Sequence, residues 1–164
     1  MLVGECQSLG AATGSGSASV ASSVFFLTRP VKEHLMKGFV DNIEQLTLDN
    51  VDFRRVLYTG KHLQRVLMTV QPGEAIGGEV HAGHDQCFRI ESGQGKVLID
   101  GTRRALHEDD AIIVPAGARH NISNTGDAPL RRYTIYSPPN HRDGVVHATR
   151  ADVGKEHFDG VPSE

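Results

Sequence analysis

The sequence predicts an all-β domain, a single antiparallel β-barrel or jelly roll with irregular N- and C-terminal extensions. Three observations carry that prediction. From Ile43 onward, short segments of β-type residues are separated by turn residues, at the spacing of about 8–12 residues that marks a sandwich or barrel. Asp100-Gly101 lies between two such segments, and a two-residue type I′ turn needs positive φ at both central positions, which this pair tolerates. The chain of 164 residues suffices for one core and is too short for two full-sized ones.

Residues 1–40 read as an N-terminal extension, disordered in part, because Gly, Ala and Ser dominate and only 24–27 form an apolar patch. The first basic residue is Arg29, which argues against a secretory signal, and Glu5 argues against a mitochondrial presequence. The stretch reads either as a disordered tail or as an upstream extension of a reading frame whose natural start is Met36, and a mature N-terminus near Met1 would exclude the second. Residues 41–150 form the barrel, with strands expected at 53–58, 63–70, 76–81, 87–90, 96–100, 103–106, 111–114, 120–123 and 131–136. The breaks between them, such as Thr59-Gly60, Gln71-Pro72-Gly73 and Thr125-Gly126-Asp127, supply the fixed or positive φ that tight turns require. Pro138 and Pro139 end sheet pairing. The polar stretch beyond them, finishing in a C-terminal tail at 151–164, is expected to wrap the barrel or reach a neighbouring subunit.

A net charge of -3 and a pI near 6.3, with no Lys/Arg-rich run, exclude a polyanion-binding field, so nucleic acid is not an expected partner. Cys6 and Cys87 are the only cysteines, which argues against a disulfide framework and for a reducing, cytoplasmic setting. No apolar run approaches the roughly 18 residues that span a bilayer.

Chemistry concentrates in two stretches, 79–93 and 115–124. Residues two apart on a strand share a face, so Glu79 and His81 point the same way and Val80 points opposite. In the next strand Gln86, Phe88 and Ile90 face the interior, which turns Cys87 and Arg89 outward. His120 follows a Pro-x-Gly turn and enters a strand with Ile122 below it. The four candidate metal ligands are therefore Glu79, His81, Gln86 and His120. Taken singly, each is more commonly a satisfied strand residue; together, at this spacing in two hairpins, they point to a metal. His84 falls on the other face unless its segment is a loop, so it reads as a rim residue, and Asp85 reads as a turn residue. Cys87 reads as a packed thiol, and His141 and His147 as tail residues.

These residues resemble the motifs of the cupin superfamily. The first motif, GxxxxxHxHxxx(x)ExxxxxxG, is laid on this chain with Glu79 at the first His, His81 at the second, Gln86 at the carboxylate and Gly93 near the closing Gly. The second, PxGxxHxxxN, is matched in full by Pro115, Gly117, His120 and Asn124. Departures fall at ligands, where Glu replaces His and Gln replaces Glu, so one negative charge is kept but moved. The texture from about 53 to 150 resembles small stand-alone cupins carrying an EVHxxxDQ version of the first motif. That resemblance implies a cupin-type barrel, a small-molecule substrate or ligand and a homodimer.

Two imidazoles, a carboxylate and an amide oxygen make a mixed N/O site suited to Mn(II), Fe(II), Ni(II) or Zn(II) rather than to a thiolate-seeking ion. The first expectation is an enzyme in which one divalent metal ion acts as a Lewis acid in isomerase- or lyase-type chemistry on an oxygenated substrate. The second is an Fe(II)-dependent dioxygenase at the same site, and the third a non-catalytic binding or sensing protein. A proton-transfer group is still needed, and His62, Gln64, Tyr133, Tyr136 and His141 are candidates by strand position. Either Tyr133 and Ile135 or Thr134 and Tyr136 line the interior.

Overall fold

The computed structural model describes residues 37–154 and 156–163. The expectations for residues 1–36, including Cys6 and the Met36 start, lie outside the described residues. The chain opens with a short helix, α1 (Ile43–Asp49), where the sequence reading placed the onset of strand texture. That expectation is corrected, and the cause is local. The Asn42 side chain accepts from the Gln45 N–H at 3.0 Å, capping the first turn, and seven residues are too few to display a helical period.

The strands follow as β1 (Arg54–Thr59), β2 (Gln64–Val70), β3 (Glu79–Val80), β4 (Asp85–Ser92), β5 (Gly95–Ile99), β6 (Thr102–Leu106), β7 (Ala111–Val114), β8 (Arg119–Asn124), β9 (Leu130–Ser137) and β10 (Val146–His147). They form a six-stranded sheet ordered β10-β1-β2-β9-β4-β7 and a four-stranded sheet ordered β3-β8-β5-β6, with every pairing antiparallel. The nine expected strands are present, most with ends shifted by a residue or two. The segment expected over 76–81 shortens most, to Glu79–Val80 and an isolated bridge between Ala75 and Ser123. Gly77 breaks the extended run at φ 103, and its N–H turns to the Asn121 side chain at 3.1 Å. Asp100 and Gly101 take φ 43 and 85, and Ile99 pairs with Thr102, as a two-residue type I′ hairpin requires.

Between the sheets, Val66, Met68 and Val70 of β2 meet Phe88 and Ile90 of β4, with Val97, Leu106, Ile112, Ile122 and Leu130 completing a core of residues at most 6% exposed. Leu67 points to the opposite face of β2 yet is 2% exposed. It is covered because α1 lies over that face, Leu46 and Leu67 lining one groove. Asn124, the last residue of the second motif, donates from its amide to the Val70 and Ala128 carbonyls, both at 2.8 Å, and accepts from the Gly126 N–H. Its hydrogen-bonding capacity is used within the fold, which makes it a clamp on the β8–β9 turn.

Sheet pairing does not end at the prolines, as the sequence suggested. It resumes in β10, where Val146 and His147 pair with Arg55 and Arg54. Gly144, at φ 67, lets the chain turn back to β1. The tail then runs over its own barrel: the Phe158 N–H reaches the Asn140 carbonyl at 3.0 Å, the Ser163 N–H reaches the Thr59 carbonyl at 2.9 Å, and His147 Nε2 lies 3.0 Å from Glu156 Oε2.

Candidate metal centre

Two turns bring the site together. β3 lies against β8 with Glu79 opposite His120, and the chain leaving β3 is held by the Gly117 N–H, which donates to the His81 carbonyl at 2.9 Å. Gly117 supplies φ 85 in that turn. Asp85 Oδ1 accepts from the Ala116 N–H at 2.9 Å, so it serves the turn.

The ligand atoms of Glu79, His81 and His120 lie within 4.8 Å of one another. His81 Nε2 is 3.4 Å, and His120 Nε2 3.8 Å, from Glu79 Oε2. Neither nitrogen has a hydrogen-bond partner although both are shielded from solvent. Gln86 is 1% exposed, and its amide oxygen and nitrogen are likewise unpartnered. Across the sheet from Gln86 stands Tyr136, whose ring meets the His81 ring edge-on at 5.7 Å. Each unsatisfied buried polar group costs about 1–3 kcal/mol, so a cluster of them is retained only where something supplies the missing partner. A divalent cation fits this donor set.

Local chemistry prepares the donors. His120 Nδ1 lies 3.3 Å from the Ala118 carbonyl, which can only accept, so the ring proton sits on Nδ1 and Nε2 turns a lone pair toward Glu79. Burial holds the His120 pKa below its ordinary value, which keeps the ring neutral. Burial works to raise the Glu79 carboxyl, but the approach of His81 and the charges of Arg54 and Arg132 outweigh it and hold the group below the usual carboxylate range. Arg54 Nη2 is 3.6 Å from Glu79 Oε1, so one carboxylate oxygen faces the histidines and the other the guanidinium.

The proton-transfer candidates separate. Arg132, Thr134 and Tyr136 line the interior, each at most 1% exposed, which resolves the two alternatives for β9. Tyr133 faces outward under the Arg65 guanidinium at 5.3 Å. His62 is exposed, its carbonyl accepting from Ser137 Oγ. Both are thus withdrawn as site candidates, because strand parity and a loop position carry them away from the barrel interior. Tyr136 and His141 remain, their rings edge-on at 5.0 Å. Burial pushes the Tyr136 phenol up, so it stays protonated, and pushes the His141 imidazole down to about 2. Gln64 is wholly buried and fixes His141 in place, accepting from its N–H at 2.9 Å and donating to its carbonyl at 2.7 Å. His84 sits in the loop before β4, Nε2 at 3.1 Å from the Pro139 carbonyl.

Sequence reasoning missed Arg54 and Arg132, both buried. A signal was present: Arg54-Arg55 and Arg131-Arg132 are adjacent pairs in strands, and alternation forces one member of each pair inward.

Among the described residues no helix is long and apolar enough to cross a membrane. Comparison with known proteins agrees with the architecture. The sequence profile described as "Cupin domain" matches residues 66–136. The uncharacterised protein YrkC of Bacillus subtilis is 47% identical over 129 residues, which cover 75% of this chain and 69% of YrkC. The crystal structure of BH2720 from Bacillus halodurans superposes with a TM-score of 0.70 at 46% identity, covering 73% of this chain and 95% of that one. TT1209 from Thermus thermophilus shares the fold, with a TM-score of 0.55 at 22% identity over 60% of this chain and 96% of that chain. Likeness of this extent, on a barrel that carries the second motif in full and a variant of the first, means that the chain belongs to the cupin family.

Proposed function

We propose that the protein is a divalent-metal enzyme of isomerase or lyase type that acts on a small oxygenated molecule. One observation carries the reading: the unpartnered, solvent-shielded Nε2 atoms of His81 and His120 converge on the carboxylate of Glu79, and the buried amide of Gln86, which also has no partner, faces the same interior. These four side chains would hold the ion, which supplies Lewis-acid polarisation of a bound carbonyl or hydroxyl. Glu79 provides the only negative charge of the set, and Gln86 keeps the ion more electrophilic than a second carboxylate would. Tyr136, a neutral phenol beside His81, serves as a hydrogen-bond donor and proton source. His141, uncharged and packed on Tyr136, orients that ring.

The role of Gln86 gives a direct prediction. Gln86→Glu is expected to bind the metal about ten-fold more tightly, because it adds a charge at an existing ligand position, and to lower turnover. Competition with a fluorescent chelator measures the first effect; unchanged or weaker affinity would remove Gln86 from the ligand set.

A second reading uses the same residues. Glu79, His81 and His120 form a two-His, one-carboxylate set of the kind that holds Fe(II) for oxygen chemistry. Elemental analysis of metal-replete protein, followed by parallel aerobic and anaerobic incubation with small oxo- and hydroxy-acids, separates the two. Turnover retained without oxygen supports the isomerase or lyase and excludes the dioxygenase. Metal bound at full occupancy without turnover of the panel favours a binding or sensing role.

A further inference from the structure

We infer that the molecule this site takes is an anion, a small carboxylate bound at the metal, anchored by Arg54 and charge-balanced by Arg132. The inference rests on the metal reading above and adds the chemical class of the ligand. It comes from the charges enclosed in the barrel. Arg132 is fully buried, yet its strand neighbours in register are Met68 and Ile90. Its guanidinium lies 4.7 Å from the centre of the Phe88 ring, and Nη2 reaches only the weak acceptor Met68 Sδ at 3.3 Å. Nε and Nη1 have no hydrogen-bond partner. Burial brings its pKa only to about 10, so it is cationic at neutral pH. Arg54, 5% exposed, has an unpartnered Nε and stands against the far oxygen of Glu79.

The other buried acids are already engaged: Asp52 with Arg55 at 2.6 Å and Glu91 with Arg89 at 3.0 Å. Among the described residues Glu79 is thus the one interior carboxylate facing both arginines. Two guanidiniums and a divalent ion would carry four positive charges against its single negative one. A buried excess of that kind is strongly unfavourable unless an anion joins it. An anion also suits the access to the site, since the Glu79 and His81 side chains are 23% and 17% exposed while that of His120 is fully enclosed. Arg54 stands against Glu79, the most exposed of the three.

The test is calorimetric titration of the zinc-loaded full chain with malonate and with its neutral analogue malonamide, zinc content being measured first. Wild type is expected to prefer malonate by about 100-fold, and Arg132→Met and Arg54→Gln to keep zinc but lose at least about ten-fold in malonate affinity. Zinc retention with malonate affinity within three-fold of wild type in both variants would overturn the inference, because it would leave chelation by the metal alone. If either variant fails to fold, the other decides by the same criterion; if both fail, zinc-loaded wild type decides, where preference for malonate by about 100-fold supports the arginine site and equal affinity for malonate and malonamide refutes it. Wild type without zinc refutes the enzyme reading instead, and is seen in the metal analysis before any titration.

Discussion

Replacing His120 by alanine is expected to reduce bound metal from about one ion per chain to less than a tenth, with metal affinity lowered by more than about 100-fold. The margin follows from geometry: changing a residue that merely supports a ligand already costs 10–100-fold, and His120 offers a buried Nε2 with no other partner. Glu79→Ala and His81→Ala are expected to behave alike, as their ligand atoms belong to the same cluster. The loss has a thermodynamic echo. Metal at about 100 times its Kd stabilises the fold by about 2.7 kcal/mol, so a chelator should lower the wild-type melting temperature by about 5–10 °C and leave that of His120→Ala unchanged. Elemental analysis and a melting curve with and without chelator provide the check. Three alanine variants that all retain wild-type metal would dismiss the centre altogether.

Gly93→Ala is expected to destabilise the fold by about 3 kcal/mol through two causes that act together. Gly93 has φ 93, a backbone conformation that L side chains rarely adopt, and an added Cβ would stand 2.7 Å from the Pro129 carbonyl oxygen and 3.0 Å from Leu130 Cα. Both obstacles are backbone, so neither can swing aside. The crowding lies just beyond the point where β4 shifts register against β9, between Ile90 and Ser92. Gly117 separates the causes. It has φ 85 but nothing within 4 Å of its added Cβ, so Gly117→Ala should cost only about 1–2 kcal/mol. Urea denaturation of both variants makes the comparison, and equal losses would show that the contact with Pro129 plays no part.

Several features of the barrel were legible in the sequence because they depend on local rules. Alternation turned Gln86, Phe88 and Ile90 inward and Cys87 and Arg89 outward, and their exposures follow that order. Asp100-Gly101 announced its hairpin because few other pairs accept positive φ twice. His84, read as a loop or rim residue, does lie in the loop before β4 with its ring near the Pro139 carbonyl, whereas Asp85, read as a turn residue, opens β4 and accepts from the Ala116 N–H. The helix was not legible, since its stability comes from one cap and from the sheet face it covers. Nor was β10, a two-residue strand that exists only because β1 presents an edge for it to pair with.

The centre divides in the same way. Residue type and spacing named Glu79, His81, Gln86 and His120, because chelation by a strand needs only the alternation of its side chains. Which of them converge was a matter of long-range pairing: Glu79 meets His120 through β3 and β8, some forty residues apart in the chain. Tertiary structure also decided what surrounds them. Tyr136 enters the site and Tyr133 leaves it through the register of β9, and the tail residue His141 becomes an interior one because Gln64 holds its backbone. The two buried arginines show the limit most sharply. Alternation requires that one residue of each adjacent pair point inward, but only the closed barrel fixes that Arg54 and Arg132 do so beside Glu79, where their charge bears on what the site can bind.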